Sequence, residues 1–216
     1  MDQQIWKKGF LQIGVLFVSI PITLYAIGEV PKRTLLKEFL SLLTLLAYSM
    51  MIAQFFFTRC NRRMFHDCLM SRIIKIHKVT GYFFMIVLLV HPFLIVIPRY
   101  FEAGIDPKAA FITIITNVRS IGVVTGLTAW VLMFLLGLTS LFRSLLFTRY
   151  TTWRVSHAIL SVLFLICGSW HAIDLGRHMT PMLSSYLIFG ALSGVLLLLR
   201  SYIPVRNTKL LQEVII

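Results

Sequence analysis

Hydropathy along this chain changes on the scale of whole segments rather than single turns. Apolar runs near twenty residues recur, separated by short clusters of charge, proline and glycine. A helix needs about 20 apolar residues to cross a hydrocarbon core of about 30 Å. Six spans are therefore predicted, at 10–28, 36–57, 75–98, 119–142, 153–174 and 183–203. The second and third contain the near-continuous stretches LLTLLAYSMMIAQFFF and GYFFMIVLLVHPFLIVI. Pro31, Pro107 and Pro181 fall in the predicted connections, where proline costs little. The first segment follows Lys7 and Lys8. It is long for a signal-peptide core and lacks a small-residue cleavage site, so it reads as a retained helix. The expected fold class is an all-α, integral membrane six-helix bundle, with residues 1–216 as a single domain. No internal repeat is visible.

Composition strengthens this picture. The chain is 58% hydrophobic and 13% charged, with a mean hydropathy of +0.85, which excludes an ordinary soluble domain. The formal net charge of +13 would suit nucleic acid, but its distribution gives another reason for it. With the N-terminus inside, fourteen of the 21 Lys and Arg residues flank the inner ends of the spans and seven the outer ends. That bias predicts a multi-pass protein of the inner (plasma) membrane with both termini cytosolic. The basic stretch RCNRRMFHDC then faces anionic lipid headgroups, or offers a docking surface to an acidic partner protein. No nucleic-acid partner is expected. Cys60, Cys68 and Cys167 have no metal-type spacing and read as free thiols.

The chemistry lies in the histidines. His77 and His91 are fourteen residues apart on the third predicted span, and His157 and His171 fourteen apart on the fifth. At 1.5 Å and about 100° per residue, each pair occupies nearly one helix face, about 21 Å apart. One span lies between these helices, so they run in the same direction. His77 is then level with His157 near the cytosol, and His91 with His171 near the outer surface. Imidazole suits heme iron as well as zinc or copper. Zinc wants four ligands, and no cysteine or carboxylate shares these faces. Two stacked bis-histidine hemes between spans three and five are the expected cargo, with structural histidines as the plain alternative. Iron with both axial positions filled has no open site for substrate, which favours electron transfer.

Neighbouring residues extend the reading. Phe84 and Phe164 each lie seven residues from both histidines of their span, midway between the two levels. Gly81 and Gly168 lie about one turn from a histidine, where a missing side chain would admit a porphyrin or a neighbouring helix. Pro92 frees the carbonyl of Leu88 and is expected to kink the third span. Arg72, Lys75, Lys78 and Arg154 cluster at the inner level, with Arg99 and Arg177 at the outer one, as candidate partners for heme propionates. Trp153 and Trp170 match interfacial belt residues. His66 and His178 read as solvated loop residues.

HKVTGYFFMIVLLVHP and HAILSVLFLICGSWH on two of six spans resemble the ferric reductase-like transmembrane domain. That superfamily includes ferric-chelate reductases, NADPH oxidases and the heme subunit of the bacterial periplasmic methionine sulfoxide reductase system. The resemblance implies that His77, His91, His157 and His171 ligate two b-type hemes. No CxxCH motif is present, so attachment would be non-covalent. No glycine-rich nucleotide fingerprint occurs either. The chain thus looks like the stand-alone form, a component of an oxidoreductase. Its FAD or FMN would come only through a partner, a cytosolic flavoprotein reductase. Electrons would leave to ferric iron, oxygen or a periplasmic acceptor protein. Two alternatives stay open. A quinone-linked cytochrome b subunit shares the histidine spacing. A metal or proton permease would require carboxylates beside the histidines, and the sequence has none there.

Overall fold

The structure is a computed structural model that describes residues 11–57, 67–116, 118 and 120–202, with residues 67–70 as backbone alone. Lys7, Lys8, Arg59, Cys60, Arg62, Arg63, His66, Arg119, Arg206, Lys209 and the Cys68 side chain lie outside this description. Among the described residues all regular structure is helical. The helices are α1 (Leu11–Ile27), α2 (Leu35–Phe57), α3 (Asp67–Ala103), α4 (Pro107–Thr116), α5 (Ile121–Leu141), α6 (Arg143–Leu146), α7 (Tyr150–Leu175) and α8 (Pro181–Arg200).

Five of these, α2, α3, α5, α7 and α8, are long and apolar enough to cross a membrane. They correspond to the second through sixth predicted spans. The first predicted span forms the shorter apolar helix α1, which contains a π-helical stretch at Val15–Ser19. Pro21 has no N–H, so the carbonyl of Phe17, four residues back, loses its helical donor. The fully buried Ser49 hydroxyl of α2 donates to that carbonyl at 2.9 Å. Tyr186 Oη of α8 donates to the adjacent Leu16 carbonyl at 2.6 Å. Breaks in the ladder of α1 are thus repaired by its neighbours, which docks it on α2 and α8.

The helix that carries the third predicted span extends beyond it at both ends. Helix α3 starts at Asp67 and runs through both Pro92 and Pro98, a length of about 55 Å that exceeds the hydrocarbon core. It ends where Gly104 adopts φ +61° and the Gly104 and Ile105 amides return to the carbonyls of Tyr100 and Arg99. The following connection holds α4, which Asp106 caps by accepting from Ala109 N at 2.8 Å. Finally, Pro107 and Pro181 begin α4 and α8 rather than lying between helices.

The long helices close a ring: α2 packs on α3, α3 on α5, α5 on α7, α7 on α8, and α8 back on α2. Contacts such as Leu89 with Trp130 and Gly126 with His171 make α5 antiparallel to both α3 and α7. Helices α3 and α7 therefore run parallel, across the ring from one another, without extensive backbone packing of their own. Each carries an exposed apolar stripe suited to lipid: Phe83, Ile86, Val90 and Phe93 on α3, and Ile159, Leu163, Ile166 and Trp170 on α7. On both helices that stripe is turned more than a quarter circle from the histidine face.

Candidate heme-binding site

The histidines predicted for the outer level, His91 and His171, meet. The rings of His91 and His171 meet edge-on, with centroids 6.4 Å apart and planes at 76°. A metal between two imidazoles needs about 2 Å on each side. Adding the distance from each nitrogen to its ring centre gives close to the 6.4 Å observed. The Nδ1 atoms face neighbouring helices. Nδ1 of His171 lies 2.8 Å from the Gly122 carbonyl of α5, and Nδ1 of His91 lies 3.2 Å from Thr44 Oγ1 of α2.

Local sequence explains how α5 and α7 approach so closely. Gly122 and Gly126 stand one turn apart, the small-xxx-small spacing that lets membrane helices touch. A Cβ on Gly122 would stand 2.8 Å from Leu175 Cγ, and one on Gly126 would stand 2.6 Å from His171 Cε1. Trp130 donates to the Leu89 carbonyl at 2.9 Å, two residues before His91. That carbonyl is the neighbour of the Leu88 carbonyl, which Pro92 leaves without its helical donor.

The inner histidines lie on the same faces of α3 and α7, fourteen residues toward the opposite end. His77 and His157 are both half-buried. His157 Nδ1 is 3.5 Å from Ser140 Oγ of α5, and its ring packs on Trp153 at 5.3 Å. Trp153 in turn donates to the Thr139 carbonyl at 3.1 Å. Gly81, one turn from His77, lies against Gln54, with 3.8 Å from its virtual Cβ to Gln54 Oε1. Gln54 donates to Thr80 Oγ1 at 3.0 Å, while its own buried Oε1 meets no hydrogen-bond donor. An orphaned buried polar atom at this level fits a ligand held there.

The other predicted residues are placed as follows. Phe164 is buried in the core, edge-on to Tyr48 at 6.1 Å, and Phe84 packs half-buried against the same core. Gly168 receives no open space: the Tyr48 ring fills the notch, 2.9 Å from the virtual Cβ. Arg154 stacks over Tyr202 at 5.0 Å. Arg72, Lys75, Lys78 and Arg99 are exposed, and Arg177 donates to the Pro31 carbonyl at 2.9 Å. Trp153 is half-buried and Trp170 exposed, and Cys167 is a free thiol. His178 departs from expectation. It is 8% exposed, stacked on Tyr25 at 4.1 Å, with Nε2 3.1 Å from Glu38 Oε2. The α7–α8 loop folds inward there because α1 and α2 bring an aromatic ring and a carboxylate to meet it.

Sequence reasoning missed Thr44, Tyr48, Gln54, Gly122, Gly126 and Ser140. A polar residue inside an apolar run, and the GVVTG spacing, were the available signals.

Among the described residues, no three His, Cys, Asp or Glu side chains gather to hold a bare metal ion. A tetrapyrrole carries its own equatorial nitrogens, so two facing imidazoles are the donor set it requires. The fold and this site define a multi-pass helical membrane protein with paired intramembrane histidines. Residues 43–168 match the family model described as ferric reductase like transmembrane component. An uncharacterized protein of Archaeoglobus fulgidus is 35% identical over 161 residues, covering 74% of this chain and 87% of that one. No solved structure matches the chain. The chain belongs to the ferric reductase-like transmembrane family, and that membership points to electron transfer across the membrane.

Proposed function

We propose that this protein carries electrons across the membrane through two bis-histidine b-type hemes, taking them from a cytosolic flavoprotein and passing them to an outer acceptor. The observation that carries the reading is the His91–His171 pair, 6.4 Å apart across the ring. His77 and His157 form the second pair, nearer the cytosol. Bound there, heme would supply one-electron redox chemistry with both axial positions filled. The protein's own residues hold the ligands, exclude water and keep α3 and α7 apart. Packed against α2 and α8, α1 serves as the sixth helix of the bundle. The exposed Arg72, Lys75 and Lys78 at the start of α3 present a basic surface to an acidic donor. Gly81, Phe84, Phe164 and Arg154 border the cofactors, and ferric iron, oxygen or a periplasmic reductase would accept the electrons.

One feature favours a second reading, a quinone-linked cytochrome b subunit. An apolar cavity of about 350 Å³ lies between α3 and α4, lined by Phe93, Ile97, Tyr100, Phe101, Lys108 and Phe111. Its lining residue Phe93 stands two residues after His91, about 200° around α3. Proteoliposomes of known orientation separate the readings. NADPH and a flavin reductase on the cytosolic face should reduce the protein, and an impermeant oxidant outside should reoxidise it. NADPH without the flavoprotein should not. Reduction by quinol alone at a comparable rate would favour the second reading.

A further inference from the structure

The outer histidines are fixed not only in place but in which nitrogen is left open. A backbone carbonyl can only accept, so at 2.8 Å from Gly122 O the Nδ1 of His171 must be the protonated nitrogen. The Thr44 hydroxyl has a single hydrogen, and it donates that to the Leu40 carbonyl at 2.8 Å. Toward His91 Nδ1, at 3.2 Å, the same oxygen can therefore only accept. Neutral imidazole with Nδ1–H keeps its lone pair on Nε2. Both outer rings are thus set as Nε2 donors by groups on other helices.

Ring orientation is set separately. Gly126 leaves a slot that the His171 imidazole occupies, so that a Cβ would lie 2.6 Å from Cε1 and 2.9 Å from Cγ. Contacts that short against a ring locked by a hydrogen bond cannot be relieved without turning it. The slot and the Gly122 carbonyl together fix the plane of His171, which lies at 76° to that of His91.

We infer that Thr44, Gly122 and Gly126 are positioning residues of the outer site. They hold His91 and His171 as crossed Nε2 ligands, and so set the orientation-dependent spectrum and the potential of the group bound there. The inference rests on the heme reading above. Anchored imidazole N–H groups make stronger donors and favour the oxidised metal. Axial planes set nearly perpendicular give a low-spin ferric signal of large maximal g-value, whereas parallel planes give a smaller one.

The test uses the full-length protein in detergent, with electron paramagnetic resonance and redox titration of wild type, Thr44→Val, Thr44→Ser and Gly126→Ala. The outer signal is the one that His91→Ala removes. It should show the large g-value in wild type. Thr44→Val should raise the outer potential, and Thr44→Ser should restore it. Gly126→Ala should shift the outer g-value, or cost the outer heme alone. Unchanged outer signal and potential in both Thr44→Val and Gly126→Ala would overturn the inference while leaving the heme assignment standing. A wild-type protein with no bis-histidine low-spin signal would instead overturn the heme assignment itself.

Discussion

The outer and inner halves of this bundle carry the same histidine spacing but unequal surroundings. At the outer end, each imidazole is anchored through Nδ1, at 2.8 Å to a backbone carbonyl and at 3.2 Å to a hydroxyl whose hydrogen is committed elsewhere. Gly126 leaves His171 a slot of its own shape. At the inner end, the Nδ1 contact of His157 to Ser140 spans 3.5 Å, the limit of a hydrogen bond, and the hydroxyl could serve as donor or acceptor. A Trp153 ring packs there instead of a glycine slot. The ligand set is written by the repeat in sequence, whereas its rigidity is written by the helix alongside. α5 presents Gly122 and Gly126 to one end of α7, and Ser140 to the other.

The strongest way to break that comparison is to remove ligands. His91→Ala and His171→Ala should each lose the same heme and retain the other. His77→Ala and His157→Ala should lose the complementary one. Optical redox titration of the four variants checks this. A His77→Ala protein that behaved like His171→Ala would contradict the parallel register of α3 and α7.

Crowding the close helix contact comes next. Gly122→Leu would drive a side chain into Asp174 and Leu175. Overpacking of that kind costs about 1–3 kcal/mol. It should appear as a lower unfolding temperature and earlier loss of the outer heme than of the inner one.

His178→Ala probes the outer end at a distance from the histidine pair. It removes the stack on Tyr25 and the hydrogen bond to Glu38, while Tyr25 keeps its own bond to Glu38 at 2.6 Å. A loss of about 1–3 kcal/mol is expected for a buried bond to a carboxylate. Thermal unfolding should fall, with both heme potentials unchanged. The smallest effect should come from Ser140→Ala, whose bond is long. Its shift of the inner potential should be smaller than the shift of the outer potential in Thr44→Val, both read by titration.

Much of this architecture is legible without coordinates, for a physical reason. Span length is set by the bilayer, and the fourteen-residue histidine spacing returns to one helix face because fourteen residues close nearly four turns. Helices α2, α5, α7 and α8 accordingly begin and end within three residues of expectation. What tertiary contacts decide was not legible. The burial of His178 depends on Tyr25 and Glu38, more than a hundred residues away. The slot of Gly168 is filled by Tyr48, whose hydroxyl bonds the Leu165 carbonyl at 3.0 Å and Ser169 at 2.7 Å. No local pattern announces either partner. Helix α3 extends past its apolar core because nothing in Asp67–Lys75 forbids helix, although the charge there marks the end of the membrane.

The most direct measurement is the heme content and reduced absorption spectrum of the protein purified after expression with ample heme. Two non-covalent b-type hemes per chain, six-coordinate and low-spin, are predicted. A colourless protein, or one whose colour survives removal of all four histidines His77, His91, His157 and His171, would contradict the account.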